Sequence, residues 1–324
     1  MDTKKLVVGI DIGGTNTKFG MVDRIGNIYA EENISTPLYS DFEDYINALK
    51  NVIEKLEKDV EDAEIIGIGI GAPNGNHNTG EISFAANLPW QGTLPIVAKL
   101  QRFFPSICIT LDNDANAAAI GEMIYGGAAK MRDFIFVTLG TGVGSGFVAN
   151  GEMIYGHDGL AGELGHVIVE KNGRQCGCGR CGCLETYTSA PGIKRTISEL
   201  LALSNEDSIF RHKSLDEFEA KDIATAAQNG DKIANDAFAI TGETLGLALA
   251  NAVTITVPEA IFLFGGLAKA GDLIFKPTIA SFEKNVLKVW KNKIKILPSE
   301  LQNKDVSILG SASLAWNSIN RGLC

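Results

Sequence analysis

The chain has 324 residues, 45% of them hydrophobic, which is enough for two cores, because a single core stops growing at roughly 250–300 residues. Lys and Arg total 29 against 39 Asp and Glu, a net charge of -10 that opposes binding to a phosphate backbone; no basic patch offsets it, so no nucleic-acid partner is expected. No apolar run reaches the ~18 residues of a membrane span, and MDTKKLVVGID enters a strand without a cleavage site, so a soluble, cytoplasmic protein is expected, with no membrane partner.

Three strands are predicted at the start: Leu6 to Ile10, Thr17 to Val22 and Ile28 to Asn33. The first turn reads Asp11-Ile12-Gly13-Gly14-Thr15-Asn16. Its glycines let backbone N–H groups approach a phosphate, and Thr15 and Asn16 add side-chain donors, although an ordinary Gly-Gly hairpin turn would read the same. Apolar residues from Phe42 to Leu56 keep helical spacing, and a buried strand follows from Ile65 to Ile70. Gly71-Ala72-Pro73-Asn74-Gly75 then forms a loop at a strand's carboxyl end, where ligands settle in open α/β sheets. Beyond Asn87-Leu88-Pro89-Trp90 come a helix from about Thr93 and a strand from Ile107 to Leu111. Asp112-Asn113-Asp114-Ala115-Asn116 opens an Ala-rich helix; capping accounts for one of these polar residues, not for all.

Around residue 134 the plan restarts. Strand Phe134 to Thr138 leads through LGTGVGSG at 139–146 to a strand from Phe147 to Ala149, a repeat of architecture rather than of sequence. Helices are predicted near Ile193 to Leu201, Leu215 to Asn229 and Asp231 to Thr254. Strand Ala260 to Phe264 ends in Gly265-Gly266, and helices and strands continue through Val306 to Leu309 into a closing helix from Ser311.

The stretch from Gly162 to Glu185 crowds together His166, Cys176, Cys178, Cys181 and Cys183, with glycines between the cysteines. Tetrahedral zinc needs four such donors from a sharply turning loop, so a structural zinc site is expected. The flanking carboxylates, Glu163 and Glu185, suggest that the metal positions something. Cys108 and Cys324 are read as isolated, inert thiols, and His77, His157 and His212 as solvated loop residues.

DIGGTNTKFG at 11–20, NDANAAAIGE at 113–122, LGTGVGSG at 139–146, AGELGH at 161–166, CGCGRCGCLE at 176–185 and GGL at 265–267 resemble, in that order, the ROK family of sugar kinases and related repressors. Within the family, the glucokinase-like branch is the most similar. The resemblance implies an α/β chain with an actin-like, hexokinase-like ATPase fold, two RNase-H-like domains around a central cleft that takes ATP and sugar. It also implies a homodimer.

Carried onto this sequence, the resemblance gives Asp11 the task of orienting the magnesium–phosphate group. The backbones of Gly13, Gly14 and Thr15 and of Gly140, Thr141 and Gly142 would hold the triphosphate, and Gly265 and Gly266 would lie against adenosine. Asp114 would be the general base on the sugar hydroxyl. Asn87, Asn113, Glu163, His166 and Glu185 would bind the sugar, and His166, Cys176, Cys178 and Cys183 would hold structural Zn²⁺. Cys181 is read as a spectator, since tetrahedral zinc is complete with the other four. The chemistry is coherent, because phosphoryl transfer needs positioning and electrostatic stabilisation rather than a covalent nucleophile.

The expected activity is ATP- and Mg²⁺-dependent phosphorylation of a hexose hydroxyl, glucose to glucose 6-phosphate first. The alternatives are N-acetylmannosamine, N-acetylglucosamine, allose or fructose, or a non-catalytic sugar-binding regulator. A repressor would carry a helix-turn-helix domain before the core, for which a first strand at Leu6 leaves no room. Residues 1–119 with 310–324 are expected to form a smaller domain with the first phosphate loop, sugar loops and catalytic Asp. Residues 120–309 would form a larger one with the second phosphate loop, zinc loop and adenosine site.

Overall fold

The structure, a computed structural model, describes residues 3–302 and 304–323. In the first of its two compact units, β1 (Lys4–Ile12), β2 (Asn16–Val22) and β3 (Ile28–Ser35) form an antiparallel meander, and α1 (Phe42–Asp59) leads to β4 (Ala63–Gly71). Short strands β5 (Gly75–Asn76), β6 (Glu81–Ser83) and β7 (Thr93–Leu94) make a small sheet of their own, followed by α2 (Ile96–Gln101), β8 (Cys108–Asp112) and α3 (Asp114–Tyr125). β4 and β8 run parallel to β1, giving the order β3-β2-β1-β4-β8. The helix expected from Thr93 is displaced: Thr93 and Leu94 pair with Ile82 and Ser83, and Pro95 stands at the helix N-cap.

The second unit repeats this topology. β9 (Phe134–Leu139) and β10 (Val143–Ala149) form a hairpin extended by β11 (Glu152–Met153). After α4 (Glu185–Thr188), α5 (Ala190–Leu203), α6 (Ala220–Gln228) and α7 (Lys232–Thr256) comes β12 (Ala260–Phe264), then α8 (Asp272–Asn285) and β13 (Lys295–Pro298). The order β11-β10-β9-β12-β13 places two parallel strands beside an antiparallel hairpin, as in the first unit. The architectural repeat anticipated at residue 134 is therefore present. The helix expected from Leu215 starts later, at Ala220, where the Glu219 N–H donates to Asp222 in a capping box. α7 is long and apolar enough to cross a membrane by length and composition, yet its side chains fill the core shared with α5 and α8.

The chain closes with α9 (Val306–Arg321) in the first unit. The closing helix expected from Ser311 starts earlier: Val306 to Leu309 are its first turn, capped by Asp305, whose carboxylate accepts from the Ile308 N–H at 3.2 Å. This helix is buried on most of its circumference. Its bed is a row of glycines: Gly67, Gly69 and Gly71 alternate with Ile68 and Ile70 along β4, and the isoleucines face the α1 side. A Cβ on Gly69 or Gly9 would collide with the carbonyl oxygens of Ser311 or Ile308, so the helix backbone lies directly on the sheet.

The units divide elsewhere than at the expected boundaries. The first comprises the chain through Met131, Met153–Ala161 and the residues after Gln302; the second comprises Arg132–Glu152 and Gly162–Gln302. A cut at 119 would sever α3, which packs along its length on α9. The insertion of Met153–Ala161 into the first unit has no sequence signal; it is tied there by the Asn76 side-chain amide, which donates to the Asp158 carbonyl at 2.6 Å.

Candidate active site

In the first unit, the turn between β1 and β2 places Asp11 at the end of a strand. The Gly13 N–H donates to the Asn16 carbonyl at 2.9 Å, closing the turn, so Gly14 and Thr15 offer the outward donors. A Cβ on Gly14 would strike the carbonyl oxygen of Asn87, which brings the two backbones into contact. Asn87 itself is exposed, inside the turn in which the Leu88 N–H donates to the Ala85 carbonyl at 3.1 Å.

The residues 112–116 divide their work. Asn113 is the N-cap of α3, its side-chain oxygen accepting from the Asn116 N–H at 2.7 Å, which leaves its amide hydrogens for a ligand. Asp112, fully buried, accepts from the Asn113 N–H and the Asn116 amide, each at 2.8 Å. Burial pushes its carboxyl up to about 6. Asp114 is then free of the cap. Its side chain is reachable by solvent yet crowded by protein, and this desolvation raises its pKa above the ordinary carboxylate range. Asp11 is pushed up to about 6, first by burial and then by the nearby charge of Asp114. Two carboxylates thus sit close enough to feel each other at the sheet's carboxyl edge.

One histidine departs from expectation. His77 is half-buried and stacked on Tyr155, with ring centroids 4.2 Å apart and planes 4° off parallel, and its Nδ1 lies 3.9 Å from Asp112 Oδ2. Burial lowers its pKa. His157 and His212 are exposed, as anticipated. Cys108, expected as an inert thiol, is disulfide-bonded, while Cys324 lies outside the described residues.

In the second unit, the Gly140 N–H donates to the Gly142 carbonyl at 3.0 Å, and a Cβ on Gly140 would meet nothing within 4 Å, so the turn shows an open backbone face. Gly265 has φ +103°, a conformation that glycine adopts without cost, and a Cβ there would crowd Leu139; Gly266 faces open space. Glu185, the first residue of α4, accepts from the Val143 N–H at 2.9 Å, and a Cβ on Gly142 would lie 2.5 Å from that carboxylate. Its other oxygen stands 3.9 Å from Cys176 Sγ. One side chain therefore touches both the glycine turn and the cysteine cluster.

The donor atoms of His166, Cys176, Cys178 and Cys183 all lie within 4.8 Å of one another. Cys178 and Cys183 sulfurs are 3.6 Å apart, and Cys176 Sγ is 3.7 Å from His166 Nδ1. A tetrahedron with zinc ~2.3 Å from each sulfur has edges of about 3.7 Å, so the four residues fit that metal. Cys181 points away, with its sulfur 3.2 Å from the Gln175 side-chain oxygen. His166 presents its second nitrogen, Nε2, toward Glu163 Oε2 at 4.0 Å. Gly182, at φ +81°, lets the loop fold back on Glu170, whose carbonyl oxygen leaves no room for a Cβ.

Sequence reasoning missed Arg174. Its guanidinium donates to the Thr186 and Gly192 carbonyls at 2.7 and 3.0 Å, grips both oxygens of Glu199 at 2.8 and 2.6 Å, and lies 4.4 Å over the Tyr187 ring. It fastens the cysteine loop to α4 and α5. An arginine between Gly173 and Gln175 carries no local pattern that announces this, because each partner lies at least a dozen residues away.

A model of the ROK family matches residues 7–318. A glucokinase of Halalkalibacterium halodurans is 34% identical, with 97% of each chain covered. The xylose repressor of Caldicellulosiruptor bescii is 29% identical over 95% of this chain and 77% of its own length. Among solved structures, a ROK glucokinase from Streptomyces griseus, in complex with glucose and AMPPNP, is 30% identical with a TM-score of 0.76, covering 96% of this chain and 99% of that one. With the glycine turns, the paired aspartates and the His–Cys cluster all within the matched span, this chain belongs to the ROK family.

Proposed function

We propose that the protein is an ATP-dependent hexose kinase that converts glucose to glucose 6-phosphate. The observation that carries this reading is the division of labour at the start of α3. Asn113 caps the helix and Asp112 is fully buried with its Oδ1 held by Asn113 and Asn116, so Asp114 is left as an accessible carboxylate with a raised pKa beside Asp11. A raised pKa suits a group that must take the proton of a sugar hydroxyl. The 34% identity to a glucokinase over nearly the whole chain supports glucose as the substrate.

Asn87, Asn113, Glu163, His166 and Glu185 orient the sugar; carboxylates and amides suit hydroxyls, which both donate and accept. Asp11 orients the magnesium–nucleotide complex, and the turns at Gly13–Thr15 and Gly140–Gly142 direct backbone donors at its phosphates. Gly265 and Gly266 leave room for adenosine. Bound Mg²⁺ neutralises charge on the transferring phosphoryl group. His166, Cys176, Cys178 and Cys183 hold Zn²⁺, fixing the carboxylates of Glu163 and Glu185, with His166 Nε2 turned to the sugar. The enzyme works in the cytoplasm as a homodimer.

The test is phosphorylation with MgATP across a panel of hexoses and N-acetylhexosamines. Glucose should be turned over best; activity only on another sugar would change the substrate, and activity on none would favour a regulator. Asp114→Asn should lower kcat by about 10²–10⁴-fold while glucose affinity stays within a few-fold. Substantial remaining turnover would remove Asp114 from the base role.

A further inference from the structure

Behind the first glycine turn runs a chain of buried hydroxyls that the reaction itself does not use. The Tyr45 hydroxyl, on α1, lies 2.6 Å from Thr17 Oγ1; Thr17 Oγ1 lies 3.0 Å from Thr36 Oγ1; and Thr36 Oγ1 donates to the Gly13 carbonyl at 2.8 Å. All three side chains are fully buried. The direction of the chain is forced. A carbonyl only accepts, so the single Thr36 hydrogen goes to Gly13, Thr17 must donate to Thr36, and Tyr45 must donate to Thr17. Each bond polarises the next, and burial keeps the phenol protonated by raising its pKa beyond the ordinary tyrosine range.

The Thr36 N–H adds a second hold, donating to the Thr15 carbonyl at 3.1 Å. The C=O and N–H of a trans peptide point in opposite directions, so drawing the Gly13 carbonyl inward turns the Gly14 N–H outward. The same tyrosine also reaches the sugar loop. Its ring packs against Trp90 with centroids 4.3 Å apart, in the segment whose Asn87 carbonyl abuts Gly14.

We infer that Tyr45 is a positioning residue for phosphoryl transfer: its hydroxyl, relayed through Thr17 and Thr36, aims the Gly14 N–H of the first phosphate turn, while its ring braces the Asn87–Trp90 sugar loop. This rests on the proposed role of Gly13–Thr15 in holding the nucleotide.

Tyr45→Phe keeps the ring on Trp90 and deletes only the proton that starts the relay. It should raise the KM for MgATP about three- to tenfold, the range for losing one neutral hydrogen bond, and leave the KM for glucose within twofold. Thr17→Val, which breaks the relay in the middle, should give the same split, and Thr17→Ser should restore near-normal values. Hydrogen exchange of the peptide spanning residues 11–22, with and without MgADP, separates the two ideas. If nucleotide fails to protect that peptide in the unaltered protein, the phosphate-turn reading is wrong. If it protects the peptide and the Tyr45→Phe KM for MgATP is unchanged, the relay is wrong. A folded variant with lower Tm and normal kinetics would also reduce Tyr45 to a stabilising role.

Discussion

Asp114 makes the buried Asp11 harder to ionise, and the consequence appears in stability as well as in chemistry. The Asp11 carboxyl is pushed up to about 6 by burial first and by Asp114 second, with Asp305 adding to the rise while Ser307 and Lys18 oppose it. A carboxyl whose folded pKa is raised holds its proton longer than in the unfolded chain. Stability is therefore lost as pH rises from about 4 to about 6, and the cost persists at neutral pH. Asp11→Asn should be more stable than the unaltered protein above about pH 6, by on the order of 3 kcal/mol. The gain should shrink toward zero below about pH 4. Thermal melts at pH 4 and 7.5 measure this; a variant less stable at both would show that the carboxylate is well solvated. Both aspartates were legible in the sequence because each stands at the end of an element with a local signature, Asp11 just before the Gly-Gly turn and Asp114 at the start of the Ala-rich helix. His77 and Arg174 were not, because their partners arrive from distant segments: Tyr155 stacks on His77 from nearly eighty residues away.

At the scale of elements, the cysteine loop proves more closely tied to the Gly140–Gly142 turn than its sequence suggests. That His166, Cys176, Cys178 and Cys183 gather while Cys181 stands apart was legible, since spacing and glycines dictate the loop. The Glu185 bond to the Val143 N–H was not, because a strand end and a helix start 42 residues apart have no pattern in common. This bond changes what removing the metal should do. If zinc fixed only sugar-binding groups, chelation would leave nucleotide affinity alone. With Glu185 close to Cys176 and holding the residue after Gly142, both affinities should fall, glucose more than MgATP. Titration calorimetry before and after chelation checks this, and an unchanged MgATP affinity would mean that the glycine turn holds its shape unaided. Metal analysis should find about one zinc per chain, kept in Cys181→Ser and lost in Cys178→Ser; loss from Cys181→Ser would make the fifth cysteine a ligand.

On the scale of the whole molecule, the first unit depends on residues that come last in the chain. The turn at 11–16 and the segment 112–116 both precede residue 120, yet the sheet bearing them is finished on one face only by α9. The row of glycines on β1 and β4 makes the lesson general: GIGIG reads as an ordinary buried strand, and nothing local reveals that its smooth face awaits a helix some 240 residues later. Ile308, Leu309, Leu314 and Trp316 of that helix are each at most 5% exposed. At about 2 kcal/mol for each buried side chain, they contribute as much as the ~5–15 kcal/mol that stabilises a typical domain. A chain ending at Asp305 should therefore fail to fold its first unit. The second unit keeps its own core within Arg132–Glu152 and Gly162–Gln302, and the clustered His166, Cys176, Cys178 and Cys183 lie in the latter segment. Limited proteolysis of the truncated protein should digest residues before Arg132 and spare a zinc-binding fragment; uniform digestion would mean that the second unit cannot stand without the first, and protection of β1–β4 would mean that the glycine face does not need its helix.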